Sequence, residues 1–332
     1  MYSTITFNKI GYDPFLDFIK AYAIIFVILA HSLPIMLMKY SLFYVWADMQ
    51  VPIFILIQTF HSYKKGYAPT INWMYLIKRI IVPFVFTQGL LIFILLLFSN
   101  ESQENIVTNC VKAGGCGPGS YYFWIYLQMA FILVLLFPLV KKLSRLQLLL
   151  YVLLFSVGCE VLFSLIDLPD AIYRLLAFRY LFLIPLAFYW IDNDVKINTF
   201  NVLLSVISIV AVIFFSFSDV DLEPLFYNTG WKTHRWICYF YLPILLTYVL
   251  WGLYNILKEK KWLFSIIKEI AKSSYEIYLV QMMVFVLVPI NRLIFIQSDL
   301  IRTPIWIILT FVLSITGGII LNKIVQNLLL KR

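Results

Sequence analysis

The chain has 332 residues, of which 62% are hydrophobic and only 13% charged, with a mean hydropathy of +0.90. Water-soluble domains run nearer half apolar and a quarter charged, so a soluble globular fold is excluded, and the class is an all-α, polytopic membrane protein. The formal net charge of +9 is therefore no sign of a nucleic-acid partner, and its placement along the chain decides its meaning.

Measured against the ~20 apolar residues needed to cross a bilayer, ten spans are predicted. They lie at approximately 15–38, 42–60, 80–98, 121–140, 147–166, 174–191, 199–217, 236–256, 276–297 and 304–328. The first run is too long for the apolar core of a leader peptide and reads as the first span. It contains FLDFIKAYAIIFVILAH, Phe15 to His31, which carries Asp17, Lys20 and His31 in otherwise apolar company. Lys20 and His31 are eleven positions apart, close to three full turns at about 100° per residue, so they share a face. At a rise of about 1.5 Å per residue they are roughly 16 Å apart along the axis. Asp17, three before Lys20, neighbours it on the same stripe. A stripe carrying charge must face protein or a water-filled cavity, because a charge on lipid costs about 2.5–3.5 kcal/mol or more.

The loops set the orientation. Lys64, Lys65, Lys78 and Arg79 lie between spans 2 and 3, and Lys141, Lys142 and Arg145 between spans 4 and 5. Lys258, Lys260, Lys261, Lys268 and Lys272 lie between spans 8 and 9, and the chain ends Lys331-Arg332. The alternate loops carry Glu101, Glu104, Asp167, Asp170, Asp219, Asp221, Glu223 and Asp299. Lys and Arg mark the cytoplasmic side, so both termini are predicted to be cytoplasmic, as an even number of spans requires. The loop at 99–120 then falls outside, and a disulfide between Cys110 and Cys116 is plausible there. No appended soluble domain and no internal repeat is evident, so residues 1–332 read as a single membrane domain.

Further polar groups sit in or beside spans. Arg79 precedes Val82-Pro83, where a helix enters the membrane, and its plain role is a positive-inside anchor. Arg179 is deep enough to need a partner, for which Glu160 is a candidate. His234 lies at the outer mouth of span 8. Gln128 and Gln281 are uncharged groups that interhelical hydrogen bonds would explain without any function. Only three histidines occur, His31, His61 and His234, and no two have metal-ligand spacing on one helix, so no metal site is expected.

Five motifs in order resemble the integral-membrane acyltransferase-3 family, whose members include bacterial O-acetyltransferases of surface polysaccharides. Asp17, Lys20 and His31 stand at the spacing of its first-span Asp-x-x-Arg and His, with Lys in place of Arg. VPIFILIQTFHSYKK resembles its second-span element, with Gln58 and Thr59 for Ser-Gly. IKRIIVP resembles its Arg-x-x-Arg-x-x-x-Pro element, with Leu76 at the first arginine and Arg79 at the second. GPGSYYFWIYLQ resembles the loop into the fourth span. AKSSYEIYLVQ resembles Ser-Tyr-x-Ile-Tyr-Leu-x-His, with Gln281 for His. The resemblance implies transfer of an acyl group, acetyl as a rule, from cytoplasmic acyl-CoA to a sugar hydroxyl in a bacterial cytoplasmic membrane, with acetyl-CoA a co-substrate and no tightly bound cofactor. His31, whose unperturbed pKa lies near neutrality, is then the expected base. Lys20, held by Asp17, together with Lys78 and Arg79 would meet the CoA phosphates. Gln128, Arg179, His234, Tyr275 and Gln281 are candidate acceptor contacts. The expected partners are membrane lipids, the glycan acceptor and acyl-CoA. On composition alone a carrier of polysaccharide or lipid-linked sugar, without transferase chemistry, fits as well.

Overall fold

The computed structural model describes residues 4–5, 13–34, 37–38, 42–46, 49–63, 71–99, 102–193, 195–196, 198–217, 241–293 and 298–330. Helices of ten or more residues are numbered in chain order: α1 Pro14–Ser32, α2 Gln50–Tyr63, α3 Trp73–Phe98, α4 Gln103–Ala113, α5 Tyr121–Lys142 and α6 Arg145–Leu165. They continue with α7 Leu183–Asn193, α8 Thr199–Phe217, α9 Leu242–Leu257, α10 Lys261–Lys272, α11 Ser274–Leu287 and α12 Asp299–Val325. A short antiparallel pair joins β1, Thr4–Ile5, to β2, Val195–Lys196, with Thr4 opposite Lys196 and Ile5 opposite Val195.

Among the described residues, five helices, α1, α3, α5, α6 and α12, are long and apolar enough to cross a membrane, and α10 with α11, bent by 72°, makes a sixth if counted as one span. This is fewer than the ten predicted from apolar runs, although a helix overlaps each run. The shortfall has local causes. α2, α7, α9 and α11 have 14, 11, 16 and 14 residues. At about 1.5 Å per residue each is shorter than the roughly 30 Å apolar core of a bilayer. The run at 174–191 is interrupted by a 3₁₀ turn, Phe178–Tyr180, that holds Arg179. The first helix ends at Ser32 rather than at 38, because Leu33 is extended before Pro34, as a residue preceding proline prefers. Two helices also form where loops were expected: α4 in the predicted 99–120 loop, and α10 in the lysine-rich stretch between spans 8 and 9.

α1 starts from an Asp13 cap, whose side chain accepts from the Phe15 amide at 3.0 Å, with Pro14 at the first helical position. It then packs against α2, α9, α10, α11 and α12. Phe15, Leu16, Phe18, Ile24 and Ile28 are all buried, so this helix runs through the interior of the bundle. Large apolar side chains instead crowd the outer surface, for example Phe93 on α3, Leu135 on α5, Leu154 on α6 and Ile308 on α12, each more than half exposed. A water-soluble fold does not tolerate such a surface, whereas lipid does.

Hydrogen bonds gather the connections into two groups at opposite ends of α6. At its start, Arg145 donates to Asp192 at 2.5 Å and to the Tyr63 hydroxyl at 2.9 Å, tying the ends of α2 and α7 to the head of α6. Beyond its other end, the segment after α6 is held to α4 and α5. Arg174 donates to the Lys112 carbonyl at 3.0 Å, and Gln128 donates to the Leu175 carbonyl at 2.6 Å.

α11 and α12 cross at Gly317 and Gly318. A Cβ on Gly318 would lie 2.4 Å from the Ile277 Cα, so the crossing requires glycine. Gly318→Ala should therefore destabilise the protein by about 1–3 kcal/mol, the usual penalty for overpacking. Thermal unfolding in detergent measures this, and an unchanged midpoint would show that the helices do not approach so closely.

Candidate active site

His31 sits in the last turn of α1 and stays exposed, with Phe285 of α11 beside it at 5.9 Å between ring centroids. Its other neighbour is the glycine-rich segment between α4 and α5. The Cys110–Cys116 disulfide closes this segment, and Gly114, Gly115, Gly117 and Gly119 all adopt positive φ. The segment is packed in among helices rather than lying free over them. Gln88 of α3 clamps it from one side, accepting from the Cys116 amide at 2.6 Å and donating to its carbonyl at 3.4 Å. α11 holds it from the other side, with Tyr278 donating to the Gly119 carbonyl and Gln281 to the Pro118 carbonyl, each at 3.0 Å.

Gly119 is the centre of this arrangement. A Cβ there would lie 3.6 Å from the Tyr278 ring, 3.7 Å from Gln281 Nε2 and 3.7 Å from His31 Nε2. One residue without a side chain thus leaves a small space on which an imidazole, a carboxamide and a phenol ring converge. Gln281 is wholly buried, and its Oε1 has no hydrogen-bond partner. A buried acceptor left unpaired costs about 1–3 kcal/mol.

The other end of α1 carries the cation. Lys20 Nζ lies 3.5 Å from Asp17 Oδ1, with Asp17 nearly buried and Lys20 partly exposed. Because α1 is unbroken from Pro14 to Ser32, Lys20 and His31 keep the helical separation of roughly 16 Å.

The remaining predicted residues are engaged elsewhere. Arg79 is not presented with Lys78 at a mouth. It lies in a π-helical turn, Ile77–Ile81, buried in an ion pair with Glu276, to which Nη2 donates at 3.0 Å, and also reaches the Lys272 carbonyl at 3.3 Å. Lys78 stays partly exposed. Tyr275 donates to the Ile80 carbonyl at 2.7 Å, which bolts α11 to the same turn. Gln128 spends its amide on the Trp124 and Leu175 carbonyls and accepts from the Ala177 amide, so it fastens backbone rather than awaiting a ligand. Arg179 is buried with its guanidinium 5.1 Å from the Tyr173 ring and 4.9 Å from the Tyr180 ring, and Tyr173 donates to Glu160 at 2.7 Å. The expected Arg179–Glu160 neighbourhood is thus organised around Tyr173. His234 lies outside the described residues.

The fold adds Gly119, Tyr278, Gln88 and Glu276 to this description. Four glycines in six residues, two on each side of Cys116, signal a backbone of unusual path, but nothing in the spacing says that it descends onto His31. Glu276 occupies the variable position of the Ser-Tyr-x-Ile-Tyr-Leu stretch, so the motif does not mark it.

Apolar helices with lipid-facing surfaces, which bring a histidine, a glutamine and a tyrosine together around Gly119, define an integral-membrane protein. The chain belongs to the acyltransferase 3 family: residues 13–323 match the family described as acyltransferase domain. No curated protein and no solved structure was found to match it. The family expected from the five motifs is the one found, and membership supports acyl transfer in general as the chemistry.

Proposed function

We propose that the protein is an O-acyltransferase of the bacterial cytoplasmic membrane. It moves an acyl group, acetyl in the simplest case, from cytoplasmic acyl-CoA to a hydroxyl of a surface polysaccharide or lipid-linked glycan. In this reading both termini are cytoplasmic. The two groups of connections support that sidedness. Tyr63, Arg145, Asp192 and the β1–β2 pair join segments that charge alternation places inside, while Lys112, Arg174 and Leu175 join segments it places outside.

The observation that carries the proposal is the convergence of the exposed His31 imidazole and the buried Gln281 side chain on Gly119, at the far end of a helix whose other end bears Lys20. Lys20 and Lys78 meet the CoA phosphates as point charges, with Asp17 orienting Lys20. The extended pantetheine arm carries the thioester along α1 toward His31. The acceptor hydroxyl, approaching from the outer side, donates to Gln281 Oε1 or gives its proton to His31. As the proton passes to the imidazole, the hydroxyl oxygen bonds to the thioester carbonyl carbon. The C–S bond then breaks, and the CoA thiolate takes the proton back from the imidazolium. Gly119 leaves room for the acceptor, and Arg79 with Glu276 holds α11, and so Gln281, in place.

Release of free thiol by the purified protein, given acetyl-CoA and glycan, tests the reading. Thiol released only when both are present supports it. Glycan moved across a vesicle membrane with no thiol released marks a carrier, and the transferase reading then fails. Gln281→Leu should raise the acceptor KM by about three- to tenfold, the value of one lost hydrogen bond, with the KM for acetyl-CoA unchanged. Equal changes in both constants would place Gln281 outside the acceptor pocket.

A further inference from the structure

α10, KWLFSIIKEIAK, takes no part in the site, yet its surface is divided sharply. At about 100° per residue, Lys261, Lys268 and Lys272 fall in one row within an arc of about 40°. Ile270, on the opposite side, and Ala271, about 80° from the row, are buried at 6% and 1% exposure. Between the lysine row and this buried face lies an apolar edge that the protein leaves uncovered, with Trp262 68% and Ile266 49% exposed. The helix turns 72° away from α11, so it does not continue the direction of that helix. Lys258 and Lys260, both exposed, extend the positive charge just before it.

We propose that α10 lies in the membrane interface and binds the anionic bilayer surface, with its Trp262–Ile266 edge at the boundary of headgroups and acyl chains and its lysines against anionic phospholipid headgroups. An exposed Trp and Ile beside a row of cations is the pattern that such a surface stabilises. The apolar edge gains by leaving water, the indole suits the headgroup level, and each lysine near an anionic surface adds about 1 kcal/mol. CoA phosphates would find the same charges, but a small ligand is held by a concave site, and this row lies on a convex helix surface. The inference rests on the membrane character of the chain and stands independently of the transferase reading.

The test uses the full-length protein in phosphatidylcholine nanodiscs that contain phosphatidylglycerol, with bromine on the chains of one lipid or the other. The Trp262 fluorescence is taken as the difference between the wild type and Trp262→Phe, a change at an exposed position. Quenching of Trp262 by either brominated lipid, stronger when phosphatidylglycerol carries the bromine, is the expected result. The preference should approach about fivefold per engaged lysine, the factor equivalent to the surface energy given above. It should fall in the Lys261→Gln, Lys268→Gln, Lys272→Gln variant and persist in the matching Lys→Arg variant. Unquenched Trp262 fluorescence places the edge away from lipid and overturns the proposal. Equal quenching by the two lipids overturns the recognition of anionic headgroups. Loss of the preference on adding CoA assigns the lysine row to the co-substrate and overturns it as well.

Discussion

His31→Ala should lower acyl transfer by about 10²- to 10⁴-fold, the contribution of a positioned general base, while the protein remains membrane-inserted and monodisperse. The separation of activity from folding follows from the position of this residue. His31 lies in the last turn of α1 and is exposed, while the packing of the helix is carried by Phe15, Leu16, Ile24 and Ile28. Loss of the imidazole therefore removes little buried surface. His31→Gln, which keeps a hydrogen-bonding group of similar size but cannot accept and return a proton at neutral pH, should be as inactive as His31→Ala. Thiol release and mass analysis of the glycan product measure the loss. A variant that transfers at the wild-type rate would remove His31 from the chemistry.

Glu276→Ala should cost about 3–5 kcal/mol of stability, the penalty of leaving a buried charge without its partner. Glu276 is fully buried, and Arg79 nearly so, so neither can turn to water when the other is removed. The pair joins the π-helical turn of α3 to the first turn of α11, close to the bend at Ser273, where the Lys272 carbonyl and the Tyr275 hydroxyl add two more ties. Removing both charges should be milder than removing one, because an apolar pair of similar volume carries no desolvation cost. The expected order of thermal unfolding midpoints is wild type and Arg79→Met/Glu276→Leu highest, Glu276→Gln below them and Glu276→Ala lowest. A double variant no more stable than Glu276→Ala would mean that the two side chains do not form a coupled pair. Activity reports on the same joint, since α11 carries Gln281 and Tyr278 to the glycine-rich segment. Glu276→Gln should lose transfer in proportion to the displacement of that helix, with acyl-CoA binding less affected than acceptor binding.

Composition and the length of the apolar runs determine that this is a helical membrane protein, because the cost of burying or exposing side chains is a sum over residues that needs no knowledge of where they meet. The shared stripe of Asp17, Lys20 and His31 was equally legible, since helical periodicity alone sets it. The five motifs, read in order, pointed to the family that the whole-chain match then showed. Other features depended on contacts between residues distant in the chain. Apolar runs do not reveal where a helix breaks, so several were read as longer helices than form. Charge alternation assigns the glycine-rich segment to a loop on the outer side of the membrane and says nothing of its packing. Only the clamp from Gln88 on one side and from Tyr278 and Gln281 on the other brings it to His31. Arg79 looked like a surface anchor until Glu276, 197 positions away, supplied its buried partner. Helical rise and hydropathy are local quantities, whereas the pairing of a buried charge or the convergence of three side chains on Gly119 depends on which helices pack together, and that is decided only when the chain has folded.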